Sequence, residues 1–214
     1  MTHGERRAAP PVPSALLLLR GGTDEVRGWA RKGLLPVFVV PGVTWTLVVP
    51  AAQPVAAPPY DDPVALLGGR PVPSRLRPSL CVVADGPRAV VAVHEAARRA
   101  VQRWLVWGEG TGLTRVEGLP HAPAGLLAEA AAARGPASRD RLRDALAPDG
   151  RRAVDVADDV LRALALPGAG VLLGAVRADE LPDAERVDPS EDVVARFDDF
   201  VAHEADLAAQ LDER

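Results

Sequence analysis

The chain has 214 residues, a formal net charge of −4 and a single cysteine, and 48% of its residues are hydrophobic although only 4% are aromatic. This length and composition are sufficient for a buried core of Ala, Val and Leu and exclude a wholly disordered chain. The slightly acidic balance also argues against a protein whose main task is to bind nucleic acid.

The charge is divided unevenly along the chain. Residues 179–214 carry 13 acidic side chains and three arginines, whereas the preceding residues carry 22 basic and 16 acidic side chains. A net +6 body is therefore followed by a net −10 tail. Such an asymmetry steers association with partners and does not by itself indicate chemistry.

The first elements predict a β-α-β-β opening. Residues 1–13 are polar or proline-rich, and we expect a disordered tail there. Ala15 to Arg20 is typical of a short buried strand, and a helix is predicted from Thr23, with acidic residues in its first turn. Strands are predicted at Val37 to Val40 and Val43 to Val49.

No charged residue occurs from Gly33 to Tyr60, so a membrane-spanning segment has to be considered. Repeated prolines would interrupt a spanning helix, which favours buried strands and no transmembrane segment. Residues 50–63 and 69–78 are rich in proline and flank a small apolar cluster, Val64 to Leu67. They are predicted to form either a long functional loop or a flap that covers the sheet.

A hairpin is predicted next, from Leu80 to Ala84 and Arg88 to Val93, although Pro87 makes a strict two-residue turn doubtful. His94 to Gln102 is predicted as a short helix. Strands are expected at Trp104 to Trp107 and Leu113 to Val116. The glycine-rich turn between these strands lacks the spacing of a phosphate-binding loop.

Helical patterns follow at Ala124 to Arg134, at Arg139 to Leu146 with Ser138 as the N-cap, and at Arg152 to Leu166. Gly170 to Val176 is predicted as a further strand. The expected class is therefore α+β, with a mixed or antiparallel sheet covered on one face by helices. We expect residues 14–178 to form this globular domain.

Residues 179–214 are predicted as an acidic linker followed by an amphipathic acidic helix. Asp188 as N-cap, Pro189 and Glu191 form a capping-box pattern at its start. Apolar residues then recur at helical spacing and predict one stripe, which would pack on the body of the chain or on another protein. The stripe residues, our candidates for a partner interface, are Val193, Phe197, Phe200, Val201, Leu207 and Leu211.

Candidate chemistry is sparse in this sequence. The four histidines are scattered and predict no metal site, and no cofactor is indicated. Asp85, His94, Glu95 and His121 are the candidates for an acid–base group assembled in space, but a turn residue and surface side chains are the simpler interpretation. Cys81 lies in an apolar run without a disulfide partner, which is typical of a buried thiol in a reducing cytoplasm.

Two arginine groups could bind nucleic acid or could receive the acidic tail of this chain or of a neighbour. Carboxylates interrupt both groups and no stacking aromatics accompany them, so we do not expect a nucleic-acid partner. The groups are Arg98, Arg99 and Arg103, and Arg134, Arg139, Arg141, Arg143, Arg151 and Arg152.

The sequence favours a non-catalytic protein-interaction module: an adaptor, regulatory or accessory subunit whose partner is a protein, with a second copy of the chain as one candidate. The alternative is a small enzyme or a small-molecule-binding domain with a pocket under the proline-rich loop 50–78. Its pocket candidates are Asp85, His94, Trp104 and Trp107. We expect a cytoplasmic bacterial protein in either case.

Overall fold

The molecule is built on one eight-stranded antiparallel sheet, seen in a computed structural model that describes residues 14–97, 101–133 and 135–212. The predicted disordered tail, residues 1–13, lies outside the described residues. The strands are β1 (Ala15–Leu19), β2 (Val37–Val40), β3 (Thr46–Pro50), β4 (Ser79–Asp85), β5 (Arg88–His94), β6 (Arg103–Gly108), β7 (Gly112–Thr114) and β8 (Glu185–Val187). The helices are α1 (Thr23–Ala30), α2 (Pro63–Gly68), α3 (Ala124–Ala130), α4 (Pro136–Ala145), α5 (Ala153–Ala163) and α6 (Glu191–Asp212).

The strand order is β7-β6-β5-β4-β1-β3-β2-β8. Strand β1 lies inside the sheet, where Leu17 is opposite Val48 of β3 on one side and Cys81 of β4 on the other. The two edge strands, β7 and β8, have only three residues each. Short edges limit uncontrolled pairing with other chains. The predicted α+β class and the β-α-β-β opening are confirmed.

Both faces of the sheet are covered. Leu16 and Leu18 of β1 join the core formed with α3, α4 and α5, which we call the α5 face. Leu17 and Leu19 join the core formed with α1 and α2, the α1 face. The expectation of one covered face is therefore wrong. Its reason lies in β1, which is buried at every position and so presents apolar side chains in both directions.

The β4–β5 hairpin is confirmed, and its turn is tighter than expected. Asp85 pairs with Arg88, so Gly86 and Pro87 alone form the loop. The doubt raised by Pro87 was misplaced, because Gly86 takes the positive φ of +50° that the turn requires.

Two predicted elements are wrong. Gly170 to Val176 is a series of turns and not a strand, because Gly170 and Gly174 have positive φ values of +86° and +69°, which extended backbone does not allow. The helix from His94 to Gln102 is also absent from its described part. His94 ends β5, and the residues described on either side of the gap at 98–100 are not helical.

The predicted start of α4 is corrected. Helix α4 begins at Pro136 after Gly135, so Ser138 lies within the first turn and is not the N-cap. Proline is well suited to a first helical position because it has no amide hydrogen to satisfy. The predicted helix around Ala124 to Arg134 is described as α3, and Arg134 lies outside the described residues.

The start of α6 also differs from the capping-box prediction. The carbonyl of Ser190 accepts hydrogen bonds from the amides of Val193 and Val194, so the helix begins after Ser190. Asp188 does not cap it, because its carboxylate accepts 2.9 and 3.0 Å hydrogen bonds from Arg186 of β8. Strand β8 itself was not predicted, although it pairs with β2.

The division of the chain after residue 178 stays a prediction about folding units. Strand β8 belongs to the sheet although it lies in the predicted linker, and α6 follows it directly. Within the described part of the chain, the helices lack the combination of length and apolarity needed to cross a bilayer.

Candidate functional site

Among the described residues, the contacts of helix α6 with the rest of the chain are in its first half. The amide of Ser190, just before the helix, donates a 2.9 Å hydrogen bond to the carbonyl of Arg31, which follows α1. In the first half of the helix Val193, Val194, Phe197 and Val201 are half-buried. From position 202 onward, every described side chain of the helix is exposed. The second half of α6 therefore projects from the body of the molecule.

Three aromatic rings meet where α6 passes the proline-rich loop. The rings of Tyr60 and Phe197 make an edge-to-face contact with centroids 5.4 Å apart, and Phe200 lies 6.4 Å from Phe197. Tyr60 is 41% exposed and Phe200 is 50% exposed. We call these three residues the aromatic patch. It contains the only tyrosine and two of the three phenylalanines of the chain.

The predicted apolar stripe continues beyond the aromatic patch. Leu207, two turns after Phe200, is 42% exposed. Leu211 lies in the last turn of the helix, and its side chain is outside the described part of the structure. Glu204 falls on the same face by helical spacing and places one carboxylate within the stripe. The whole helix has seven acidic residues and one arginine, so the apolar stripe lies on a helix whose remaining surface is mainly acidic.

A groove lies at the opposite edge of the sheet, between β7, α3 and α4. It is a cavity of about 460 Å³, and we call it the β7 groove. Leu142 and Leu146 form a buried floor, while Leu113 at the rim is 49% exposed. The lining residues that matter here are Leu113, Leu142, Leu146 and Pro148, with Arg139 and Arg143 at the rim.

The two rim arginines differ in their partners. Arg143 pairs with Asp140 at 2.8 Å, with both side chains more than half exposed. Arg139 is exposed and forms no ion pair with any residue that the structure describes. The sequence placed Leu113 on a strand and Arg139 in an arginine group, but it held no signal that would join them. Only the fold, which places β7 and α4 on two sides of one cavity, brings them together.

The other arginines of this region are largely neutralised. Arg151 lies between Asp149 and Asp159, at 2.5 Å from each, and Arg152 pairs with Asp155 at 2.7 Å. Hydrogen bonds from these arginines lower the pKa of Asp149 and the pKa of Asp155. Arg141 donates a 3.2 Å hydrogen bond to Ser138 and, like Arg139, forms no ion pair with a described residue. The described part of the predicted arginine group is thus largely broken into local pairs, and Arg139 is the cation at the groove rim that stays available to a partner.

The four predicted pocket residues do not converge. Asp85 and His94 lie at opposite ends of the seven-residue strands β4 and β5, which are about 20 Å long. Trp107 belongs to the core of the α5 face, whereas Trp104 packs on the core of the α1 face. Asp85, His94 and Trp104 fall on the α1 face. Cys81 and Val83, which are on the same side of β4 as Asp85, belong to the core of that face, and so does Ala92, which is paired with Trp104 two residues before His94. Burial and the nearby Arg77 lower the pKa of His94.

The proline-rich loop covers the α1 face. Leu67, Val72 and Leu76 are at most 3% exposed and belong to the core of that face. Gln102 ties the loop to the start of β6 with a 3.0 Å hydrogen bond to the carbonyl of Gly68. Of the two interpretations of this loop, these contacts favour the covering flap.

The remaining candidates for chemistry are dispersed. Glu95 is 3.7 Å from Arg103, and His121 makes a backbone bridge to Trp104. Burial raises the pKa of the Cys81 thiol to about 12, so the thiol stays protonated. Within the described ranges, no group of three or more His, Cys, Asp or Glu side chains is arranged to hold a metal ion.

Comparison of the chain with models of known protein families, with curated proteins and with solved structures gives no match in any of the three. Functional inference therefore depends on the surfaces described above. Among the described residues, the aromatic patch with the stripe of α6 and the β7 groove both combine exposed apolar area with charge.

Proposed function

We propose that this chain is a non-catalytic protein-interaction module, an adaptor or accessory subunit, which associates through the apolar stripe of α6. The partner that we name is a second copy of the chain. The observation that carries the proposal is the exposure of Phe200 and Leu207, 50% and 42%, on a helix that projects from the body. An exposed apolar stripe with aromatic residues is typical of a surface that becomes buried on association.

The energetics support a partner for this helix. Burying one large apolar side chain is worth about 1.5–3 kcal/mol, and aromatic residues dominate the energy of protein interfaces. The contact of Phe197 with Tyr60 already orders the first ring of the stripe. A partner would therefore meet a preorganised aromatic surface, which reduces the entropic cost of binding.

The alternative, a ligand pocket under the proline-rich loop, has less support. Leu67, Val72 and Leu76 of that loop are buried against the α1 face. The side chains proposed for the pocket lie at two ends of a hairpin and on two faces of the sheet. We therefore assign the function to the surface of α6.

The test changes the stripe in the full-length chain. Phe197→Asp together with Phe200→Asp places two carboxylates in the centre of the aromatic patch. We expect the wild-type protein to be a dimer or larger, and the variant to associate at least about 100-fold more weakly, because each lost aromatic contact of an interface costs about 2 kcal/mol or more. Light scattering and sedimentation over a range of protein concentrations measure this.

A matched control places the same two charges on the opposite face of α6. Ala195 and Ala202 are exposed there, and Ala195→Asp with Ala202→Asp should leave the mass of the assembly unchanged. A monomeric wild-type protein, or a Phe197→Asp/Phe200→Asp variant with wild-type mass and an unchanged circular dichroism spectrum, would contradict the proposal.

A further inference from the structure

We infer that the β7 groove of one copy receives the stripe of α6 from a second copy, so that each chain carries both a donor helix and an acceptor groove. This inference rests on the proposed function and names the receiving surface. Three observations support this pairing. Both surfaces are apolar, their charges are opposite, and their positions at opposite edges of the sheet require a second copy.

The apolar match comes first. The groove has a floor of Leu142 and Leu146 and a rim with Leu113 and Pro148. A helix binds such a groove by inserting side chains at i, i+3, i+4 and i+7 spacing. Phe197, Phe200 and Val201 of α6 occupy the i, i+3 and i+4 positions, Glu204 occupies i+7, and Leu207 follows at i+10.

The charges of the two surfaces are opposite. Helix α6 carries seven acidic residues against one arginine. The described lining of the groove contains Arg139 and Arg143 and no carboxylate. Arg139 makes no ion pair with another described residue, and Glu204 lies within the apolar stripe, so a carboxylate would arrive together with the rings. An unpaired cation beside an apolar groove favours an acidic amphipathic helix over a neutral one.

The position of the two surfaces requires a second copy. Strand β8, which leads into α6, and strand β7, which borders the groove, are opposite edges of an eight-stranded sheet. Seven strand spacings place these edges about 34 Å apart. Phe197 is seven residues after Ser190, which is fixed to Arg31, so it lies only about 10 Å along the helix from that point. The aromatic patch therefore cannot reach the groove of its own chain.

The test uses a groove variant of the full-length chain, Leu113→Glu with Arg139→Glu. Both side chains are exposed, so the fold should persist, and circular dichroism and thermal unfolding check this. We expect self-association at least about tenfold weaker than in the wild type. The matched control, Val43→Glu with Arg88→Glu, makes the same charge change at two exposed positions outside the groove and should behave as the wild type.

Mixing two defective variants gives the decisive result. Phe197→Asp/Phe200→Asp has an intact groove, and Leu113→Glu/Arg139→Glu has an intact helix. At a protein concentration at which the wild type is assembled and each variant alone is monomeric, the mixture should form a complex with one copy of each, detected by sedimentation with one variant labelled. If the control variant is also monomeric, or if the mixture stays monomeric although both variants are folded, the inference is wrong.

The failures of the two proposals are distinguishable. If the groove variant keeps the wild-type mass while the stripe variant is monomeric, α6 binds elsewhere, for example to another α6, and only the groove assignment is overturned. If the stripe variant keeps the wild-type mass, the proposed function fails together with this inference. If Arg139→Glu alone weakens association and Arg139→Lys retains it, the charge of the rim is the feature that the partner recognises.

Discussion

At the scale of single residues, Asp158 is the clearest case of a buried polar group with a structural task. Its side chain is 2% exposed, it accepts a hydrogen bond from the amide of Gly170, and it pairs with Arg162 at 2.7 Å. The carboxylate thereby joins α5 to the turns that replace the predicted strand at 170–176. An acidic residue on the buried side of a helix is tolerated only when its charge has partners of this kind.

Replacing Asp158 by alanine should lower the free energy of unfolding by about 2–3 kcal/mol, because the buried amide of Gly170 loses an ionised acceptor. Asp155→Ala is the matched control. Asp155 also lies on α5 and pairs with Arg152, but at the surface, so its loss should cost about 1 kcal/mol or less. Urea unfolding of both variants measures the difference. An equal decrease in the free energy of unfolding in both variants would show that the buried contacts of Asp158 do not stabilise the fold more than a surface ion pair does.

At the scale of elements, the sequence predicted those whose pattern is local. Strands β1, β4 and β5, helices α1 and α5, and the existence of α6 follow from apolar runs, alternation and helical spacing. The turns at 170–176 did not follow from such a pattern, because an apolar run with two glycines resembles a buried strand until its positive φ values are known. Strand β8 was missed because three residues carry too little pattern, and only pairing with β2 defines it.

Of the two surfaces of the candidate site, the stripe of α6 could be predicted from the sequence and the β7 groove could not. The stripe of α6 is contained in one continuous helix, so its spacing is visible in the sequence. The β7 groove is assembled from β7, α3 and α4, and nothing in the sequence indicates which side chains will meet there. The same limit applies to the pocket candidates: Trp104 and Trp107 are near in sequence, yet the alternation of β6 sends them to opposite faces of the sheet.

The second half of helix α6 should have low local stability in the free chain, because its side chains make few contacts with the body of the molecule. We expect the amides after Phe200 to exchange with deuterium faster than those of β1 at low protein concentration, and to become protected as concentration rises, because association orders the projecting half. Exchange measured by mass spectrometry at two concentrations tests this. The Phe197→Asp/Phe200→Asp variant should show no dependence on concentration. Equal protection of α6 at both concentrations in the wild type would contradict the expectation.

At the scale of the whole molecule, the structure locates the two sides of the charge asymmetry noted in the sequence. The acidic helix begins at the β8 edge and the rim arginines of the groove lie near the β7 edge. Most other arginines of that region are occupied by neighbouring carboxylates, as in the group of Arg151 with Asp149 and Asp159. The molecule therefore presents opposite charges at opposite edges of one sheet.

Self-association should weaken as sodium chloride is raised from about 0.05 M to about 0.5 M, because salt screens attraction between exposed charges. The fall should be several-fold and incomplete, since the apolar contacts of the stripe remain. Sedimentation at each concentration of salt measures it, and Arg139→Glu should make association less sensitive to salt. An association constant that is independent of salt would show that the charges of helix and groove do not meet.

The separation of donor helix and acceptor groove has a consequence for symmetry. Because the two surfaces differ, each copy that binds leaves one free helix and one free groove, so the contact closes only when the rotation between copies divides a full turn evenly. Two copies that exchange helices form the smallest closed assembly, and other rotations give larger rings or an open fibre. The angle at which α6 leaves β8, set near Ser190 and Arg31, would then determine the number of subunits.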